Sequence, residues 1–399
     1  MGRRPMRILM GILSELSHER RQERMVESLE RAGHQVSATW VDNGEAPLSD
    51  FWKERPLHRL QASRALGGKL YFLRFMGWFH RLILQEKPHA VLAVDPPALG
   101  PALRARASRP FHLVYDAREY WSELPTVRSR PLMTAVWKWT EGRGMRQADA
   151  SCAVCASIAR ALQEDYHLSR EVAVVRNVPA LSWRPREATR RHQLGRLWPT
   201  LGQGPVVVYA GGFWPGYDFR PLMDAVGLLE EKGRGVNLLM LGDGPQWELH
   251  RRHASTLPWK ERVLLAGKVP GHQLDGLLRG CDAGTVMVPD LGLSYRYLLP
   301  NKLFEYIQAG LPVLASPLPE TASVVLGRGL GRCADPQNAA AIAAQLTILL
   351  DPARESTWQA ALEAAAQDLC WEKEESRFLQ LFTPQGGGAL ENGPASIGR

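Results

Sequence analysis

An asparagine, a lysine and a glutamate stand close together in "YRYLLPNKLFEYIQAGLPVLAS", residues 295–316, between two apolar segments. Pro300 suits the beginning of a helix and Asn301 can cap one. Unpaired N–H groups and the positive end of the helix dipole favour an anion at such a start. Lys302 adds a full charge and three donors for phosphate oxygens. Glu305, about one turn on, would compete with that anion if aimed at it, but a carboxylate also accepts bonds from two adjacent hydroxyls. Diphosphate beside a ribose diol is the shape of a nucleotide. The plainer alternative is a surface lysine and glutamate on an amphipathic helix.

Two glycine turns precede this stretch. In "YAGGFWPG", Gly211 and Gly212 follow an apolar run, where bare backbone lets N–H groups approach a ligand that a side chain would block. Such pairs also serve the turn alone, and both readings stand. "LGDGP" repeats the device at Gly242, Asp243, Gly244 and Pro245. It is not G-x-G-x-x-G, so a dinucleotide fingerprint is absent from that turn.

The elements that must position these residues alternate along the chain. "MRILMGIL" reads as a strand, "RRQERMVESLERAGH" as a helix ending at Gly33, and "QVSATWV" as the next strand. Further strands are expected at "HAVLAVD", "FHLVYDA", "ASCAVCAS" and "VAVVRN". After a charged, proline-bearing segment, "ALSWRPREATRRHQLGRLWPTLGQG", the order resumes with "PVVVYAGG", "VNLLMLGDGP", "VLLAGKV", "AGTVMVP" and "PVLASP". Continuous apolar runs fit strands covered on both faces, and strand–helix–strand order needs parallel pairs joined by crossovers. Both halves therefore read as doubly wound α/β sheets, whose ligands bind outside the carboxyl ends of the strands. Domains are expected at residues 1–182 and 205–352, with a linker at 183–204, returning helices at 353–383 and a disordered tail at 384–399.

Composition bounds the rest. A chain of 399 residues, 45% hydrophobic and 23% charged, fits two globular domains. No apolar run is long enough to span a bilayer. "MGRRPMRILMGILSEL" reads as a first strand, because no small-residue cleavage site precedes "SHERRQER". Five cysteines are an odd number; Cys152 and Cys155 lie in an apolar run and read as buried thiols in a reducing, cytoplasmic compartment. The net charge of +8 is concentrated: residues 51–87 carry eight Lys or Arg against Glu54 and Glu86. There Tyr71, Phe75, Trp78 and Leu82 recur at helical spacing, with Arg74 and Arg81 on another face. Two readings are open, a cationic helix on anionic headgroups or a crossover helix burying its stripe on the sheet. Nucleic acid is disfavoured, since no recognition motif accompanies the charge.

The ordered set "YAGG", "LGDGP", "VLLAGKV" and "PNKLFEYIQAGLPVLAS", with "LVYDAREYW" and "EVAVVRNVP" in the first half, resembles retaining glycosyltransferases of GT-B fold, particularly glycosyltransferase family 4. The resemblance runs from about residue 6 to 382. It implies two Rossmann-like domains facing across a cleft, and a last helix crossing back to the first domain. It further implies sugar transfer from a nucleotide diphosphate donor, without metal or other cofactor, to a glycan or lipid-linked acceptor in surface polysaccharide or glycolipid assembly. Such an enzyme would be cytoplasmic, and peripheral on the inner face of the membrane if residues 51–87 meet lipid.

Carried over by position, Glu305 is the second glutamate of an E-x7-E pattern and should hold the ribose. Lys302 and Asn301 should meet the diphosphate, Gly211, Gly212, Gly242 and Gly244 should admit the donor, and Val269 should flank the base. Tyr297 stands where the first glutamate would fall. No arginine and lysine follow the first glycine turn, and Arg220 is a candidate substitute. The first-domain glycine loop is replaced by "SELSHERR", and Asp116, Ala117, Arg118 and Glu119 stand where relatives read Asp-x-His-Glu. His18, Arg118 and Glu119 are the acceptor-side candidates. These departures keep two alternatives in view: a non-catalytic relative that binds sugar nucleotide or glycan, and a nucleotide-sugar 2-epimerase, which the P-N-K-x-x-E arrangement disfavours.

Overall fold

The computed structural model describes residues 5–17, 19–44, 47–62, 68–185 and 191–383; His18 and the tail expected from residue 384 lie outside them. Short runs with no polar break become the central strands. β1 (Arg7–Gly11), β2 (Gln35–Asp42), β3 (Leu57–Gln61), β4 (Ala90–Val94), β5 (His112–Ala117), β6 (Ala150–Ala153) and β7 (Ala173–Val174) form one sheet, ordered β3-β2-β1-β4-β5-β6-β7. β8 (Val206–Ala210), β9 (Asn237–Leu241), β10 (Val263–Gly267), β11 (Ala283–Val286), β12 (Val313–Ala315) and β13 (Gly331–Cys333) form the second, ordered β10-β9-β8-β11-β12-β13. Every recorded pairing is parallel. All five residues of β4, β8 and β9 are buried, as continuous apolar strands between helical layers must be.

The direction of winding locates the crevices. In the first sheet the chain runs outward from β1 to β3 and returns to β4 on the other side of β1; in the second it reverses between β8 and β11. Such switch points leave a gap at the carboxyl ends of the strands, because the flanking helices diverge to opposite faces. The residues after β1 and β4 therefore meet at one gap, and those after β8 and β11 at the other.

The last helix, Trp371–Gln380, returns to the first domain, as expected. Trp371 Nε1 donates to Ser28 Oγ at 2.9 Å, and Arg31 pairs with Glu375 at 2.6 Å. Phe378 and Phe382 complete the core cluster holding Ile8, Met10, Val36 and Val114.

Several elements depart from expectation, among them the unexpected strand β13 and a helix, His192–Leu197, within the expected linker. The basic aromatic segment contains a strand, β3, formed by the polar-looking LHRLQ on a sheet edge. Its helix spans Gly68–Glu86, and the buried stripe is Tyr71, Phe75, Phe79 and Leu82; Trp78 is only partly buried. The stripe packs in the first-domain core, so the crossover-helix reading holds for that face. Only Ala173 and Val174 of "VAVVRN" pair as strand. The cysteines are free thiols, with Cys152 and Cys155 buried as expected. No helix among the described residues is long and apolar enough to cross a membrane.

Candidate active site

"NKLFEYIQ" forms an eight-residue helix, Asn301–Gln308, because its apolar residues fall on one side: Leu303, Phe304, Tyr306 and Ile307 are fully buried. Pro300 takes the N-cap position and Asn301 is the first helical residue, exposed and making no capping bond. The sequence assigned Asn301 the cap; the fixed φ of proline suits the extended geometry that the cap position needs. Two bonds lock the helix in place. Tyr306 Oη accepts from Ala210 N at 2.8 Å, tying it to the end of β8. Gln308 Oε1 accepts from the amides of Ser182 and Trp183 at 2.9 and 3.0 Å, tying it to the chain that leaves the first domain.

Lys302 lies under the first glycine turn. Its Nζ sits 3.9 Å from the centroid of the Tyr209 ring. A Cβ on Gly211, whose φ is +156°, would overlap that ammonium, so only glycine lets the two approach. Burial brings the Lys302 pKa down to about 7, against the pull of Glu305. Burial also raises the Glu305 pKa, opposed by Arg20, Lys302 and Arg24.

The glycine turns are stitched together at the carboxyl ends of β8, β9 and β10. Gly211 N donates to Leu241 O at 2.9 Å and Gly242 N to Gly267 O at 2.8 Å. Phe213 N donates to Asp243 O at 3.0 Å. A Cβ on Gly242 would collide with the Gly211 carbonyl, and one on Gly244 with Phe213 backbone. Their lack of side chain thus serves contact between turns, while Gly212 lies beneath the half-exposed Trp214. Val269 follows β10 and packs partly buried against the core. Arg220, the candidate substitute cation, is exposed and held by Asp218 at 2.8 and 2.6 Å.

Between the two sheets lies a cleft of about 920 Å³, lined by Pro300, Asn301 and Glu305 on one side and Arg20, Arg24, Arg118 and Glu119 on the other. The helix start therefore opens into the groove between the domains. Of the expected donor-side residues, Lys302, Gly211, Gly212, Gly242, Gly244, Val269, Arg220 and Tyr297 do not line this cleft.

The first-domain wall comes from its own switch point. Arg118 donates Nε and Nη2 to Asp95 Oδ2 at 2.8 and 2.6 Å and Nη1 to Glu19 at 2.8 Å. Burial works against its charge, and Asp95 and Glu19 more than offset it, so its pKa lies above the ordinary value. Arg118, an acceptor-side candidate, is thus an ion-paired side chain at the cleft. Glu119 is pushed up to about 7, chiefly by burial and then by Asp95.

Sequence reasoning passed over three residues of the helix Arg20–Arg31. Arg20 makes no hydrogen bond or ion pair with the described residues and reaches across to Gly271 of the second domain. Arg24 donates to Asn177 Oδ1 at 2.8 Å, and burial lowers its pKa to about 10. Gln22 is fully buried with neither amide atom partnered among the described residues. The signal was present: "SHERRQER" places arginines at 20 and 24, one turn apart, directly after the first strand. Tyr297 stacks on Tyr120 at 6.2 Å and 14°, and its carbonyl accepts from Cys155 Sγ at 3.1 Å. The position lacking the first glutamate is therefore a contact between domains.

Residues 18–178 match the family described as Glycosyl transferase 4-like domain, and residues 204–352 match Glycosyl transferases group 1. No curated protein matches the chain by sequence. Among solved structures, sucrose-phosphate synthase from Thermosynechococcus elongatus superimposes with a TM-score of 0.76 at 18% identity, covering 94% of this chain and 98% of that one. HepE from Anabaena, in complex with UDP-glucose, gives 0.71 at 15% identity, covering 94% and 99%. WaaG, a glycosyltransferase involved in lipopolysaccharide biosynthesis, gives 0.71 at 13%, covering 95% and 100%. With two all-parallel sheets facing across a cleft and both domain families matched in order, the chain is a glycosyltransferase of GT-B type.

Proposed function

We propose that this chain transfers a sugar from a nucleotide diphosphate donor to a glycan or lipid-linked acceptor with retention at the anomeric carbon, as a family 4 enzyme working without metal. The observation that carries the reading is the Asn301–Gln308 helix opening into the cleft with Glu305 one turn inside it. Free amides and Arg20 and Arg24 surround space for a diphosphate, and Glu305 stands ready for a ribose diol. Departure of the nucleotide builds negative charge on the diphosphate. Fixed cations and dipoles in a water-poor groove stabilise that charge in the transition state. Lys302 takes part by gaining its proton as the anion arrives. Arg118 and Glu119 orient the acceptor. UDP, UDP-glucose, and UDP with glucose are found with the Anabaena relative, which supports a nucleotide sugar as donor. The setting we propose is surface polysaccharide or glycolipid assembly on the cytoplasmic side of a membrane.

Isothermal calorimetry with a panel of nucleotides and nucleotide sugars tests the donor. Glu305→Gln should weaken the best ligand by about 1–3 kcal/mol, and unchanged affinity removes Glu305 from the ribose. Turnover with that donor, followed by NMR of the product anomer, tests retention. The Tyr297–Tyr120 stack favours a second reading, a relative that binds sugar nucleotide without transferring it, because an aromatic interdomain contact replaces a carboxylate. Tight binding with neither transfer nor donor hydrolysis would select that reading.

A further inference from the structure

The face of the first domain beside the cleft carries large apolar side chains in solvent. On the helix Pro131–Gln147, Leu132, Val136 and Trp139 recur at i, i+4 and i+7 and are 87%, 56% and 62% exposed. On the helix Gly68–Glu86, Leu70 and Leu73 are 61% and 65% exposed. Helical periodicity places each set on a single stripe, opposite the side that is buried. The two helices touch through Phe72 and Trp137, whose rings meet edge to face at 5.6 Å.

The exposed charge around these stripes is mostly positive, with Lys138 of the Pro131–Gln147 helix paired to Glu123. Arg74, Arg81, Arg130 and Arg143 are exposed, and Arg143 lies over the Trp139 ring at 5.4 Å. Of the acids on the two helices, Glu141 is buried against Tyr115 and Tyr166, and Glu86 stands at the far end. Leucine and tryptophan tips within a ring of guanidinium groups match a surface that is apolar inside and anionic outside.

A pocket of about 350 Å³ joins this face to the cleft. Its walls are Leu13, Tyr71, Phe72, Pro97 and Trp121, and its floor is Asp95 with Arg118. Trp121 meets Trp137 edge to face at 5.8 Å, so the buried side of the stripe-bearing helix packs on a ring that lines the pocket. Asp95, Arg118 and Trp121 line the main cleft as well.

We propose that Leu70, Leu73, Leu132, Val136 and Trp139 dock on an anionic bilayer, and that the aromatic pocket receives the polar end of an acceptor still held in that bilayer. The acceptor class is thereby lipid-borne. The acceptor half rests on the transferase reading; the docking half does not. It keeps the cationic side of the Gly68–Glu86 helix as membrane-facing and extends the contact to exposed apolar side chains and a neighbouring helix.

The test is co-sedimentation of the full chain with phosphatidylcholine vesicles and with vesicles containing phosphatidylglycerol. Binding should require the anionic lipid and weaken as salt rises. Leu132→Asp with Trp139→Asp should lower vesicle binding by at least about tenfold, with unchanged circular dichroism and unchanged calorimetric affinity for the donor nucleotide. Equal binding to neutral vesicles, no binding to either, or full binding by the double variant overturns the proposal. A dimer in analytical ultracentrifugation that the same substitutions dissociate assigns the face to a second copy and overturns it too. Lost nucleotide binding with intact vesicle binding defeats the functional reading and leaves the docking face standing. For the acceptor, Phe72→Ala, at a residue that lines the pocket and not the main cleft, should keep vesicle binding and donor affinity but lose transfer to total lipid extract in vesicles; retained transfer excludes the pocket.

Discussion

A lysine whose ammonium is covered by a tyrosine ring and a glycine turn holds its proton weakly. Burial takes Lys302 from 10.5 to about 7. Between those values the unfolded chain binds the proton and the folded one does not, so this group's contribution to stability rises with pH across that window. If, as proposed, a bound diphosphate restores the charge, binding near pH 8 should take up as much as about one proton. Calorimetry at pH 8 in buffers of different ionisation enthalpy measures that uptake, and Lys302→Met should abolish it. On the same proposal, nucleotide affinity should fall from about pH 7 to 9. Arg20 and Arg24 are expected to act on the phosphates alone. Arg20→Ala and Arg24→Ala should each weaken a nucleoside diphosphate by roughly 1.5–3 kcal/mol and leave the nucleoside unchanged. Equal loss for both ligands would place the arginines elsewhere. The place of Glu305 at the cleft was legible in the sequence because four short motifs kept their order; that Lys302 lies beneath the glycine turn instead was not. Arg20 and Arg24 were not singled out, since a run of arginines and glutamates after a strand reads equally as a solvated helix face.

Among elements, the two glycine turns and the Asn301 helix behave as one unit. Tyr306 Oη holds Ala210 N, Gly242 abuts the Gly211 carbonyl, and Gly211 makes room for Lys302. Tyr306→Phe strands a buried amide and should cost about 1–3 kcal/mol in unfolding. Gly242→Ala places a side chain where φ is +134° and the neighbouring backbone leaves no room. It should cost more than about 1–3 kcal/mol of strain alone and lower nucleotide affinity by moving the turn. Thermal unfolding with and without nucleotide checks both. The reading of these glycines as a ligand cradle saw their positions but not their neighbours: a turn that admits a phosphate and a turn that admits another turn both require glycine. β3 escaped the sequence for a related reason. LHRLQ lacks a continuous apolar run because an edge strand needs cover on fewer sides.

At the level of the whole molecule, the returning helix joins the domains covalently at one end and by packing at the other. Trp371 is buried against the first helix, so Trp371→Ala should cost about 3–5 kcal/mol and lower the melting temperature without changing nucleotide affinity. A large loss of affinity would show that the cleft depends on that contact. Two doubly wound parallel sheets, the strand order along the chain and the site motif of the second domain were determined by the sequence itself, because each rests on local pattern: apolar runs, glycine turns and a helix start recur within a few residues of one another. Tertiary structure alone decided which cations face the cleft, that Tyr297 stacks on Tyr120, and which side of the Gly68–Glu86 helix is left in water. Those outcomes depend on which segments distant in the chain come to lie side by side. Periodicity names the faces of a helix, but only its neighbours determine which face is covered.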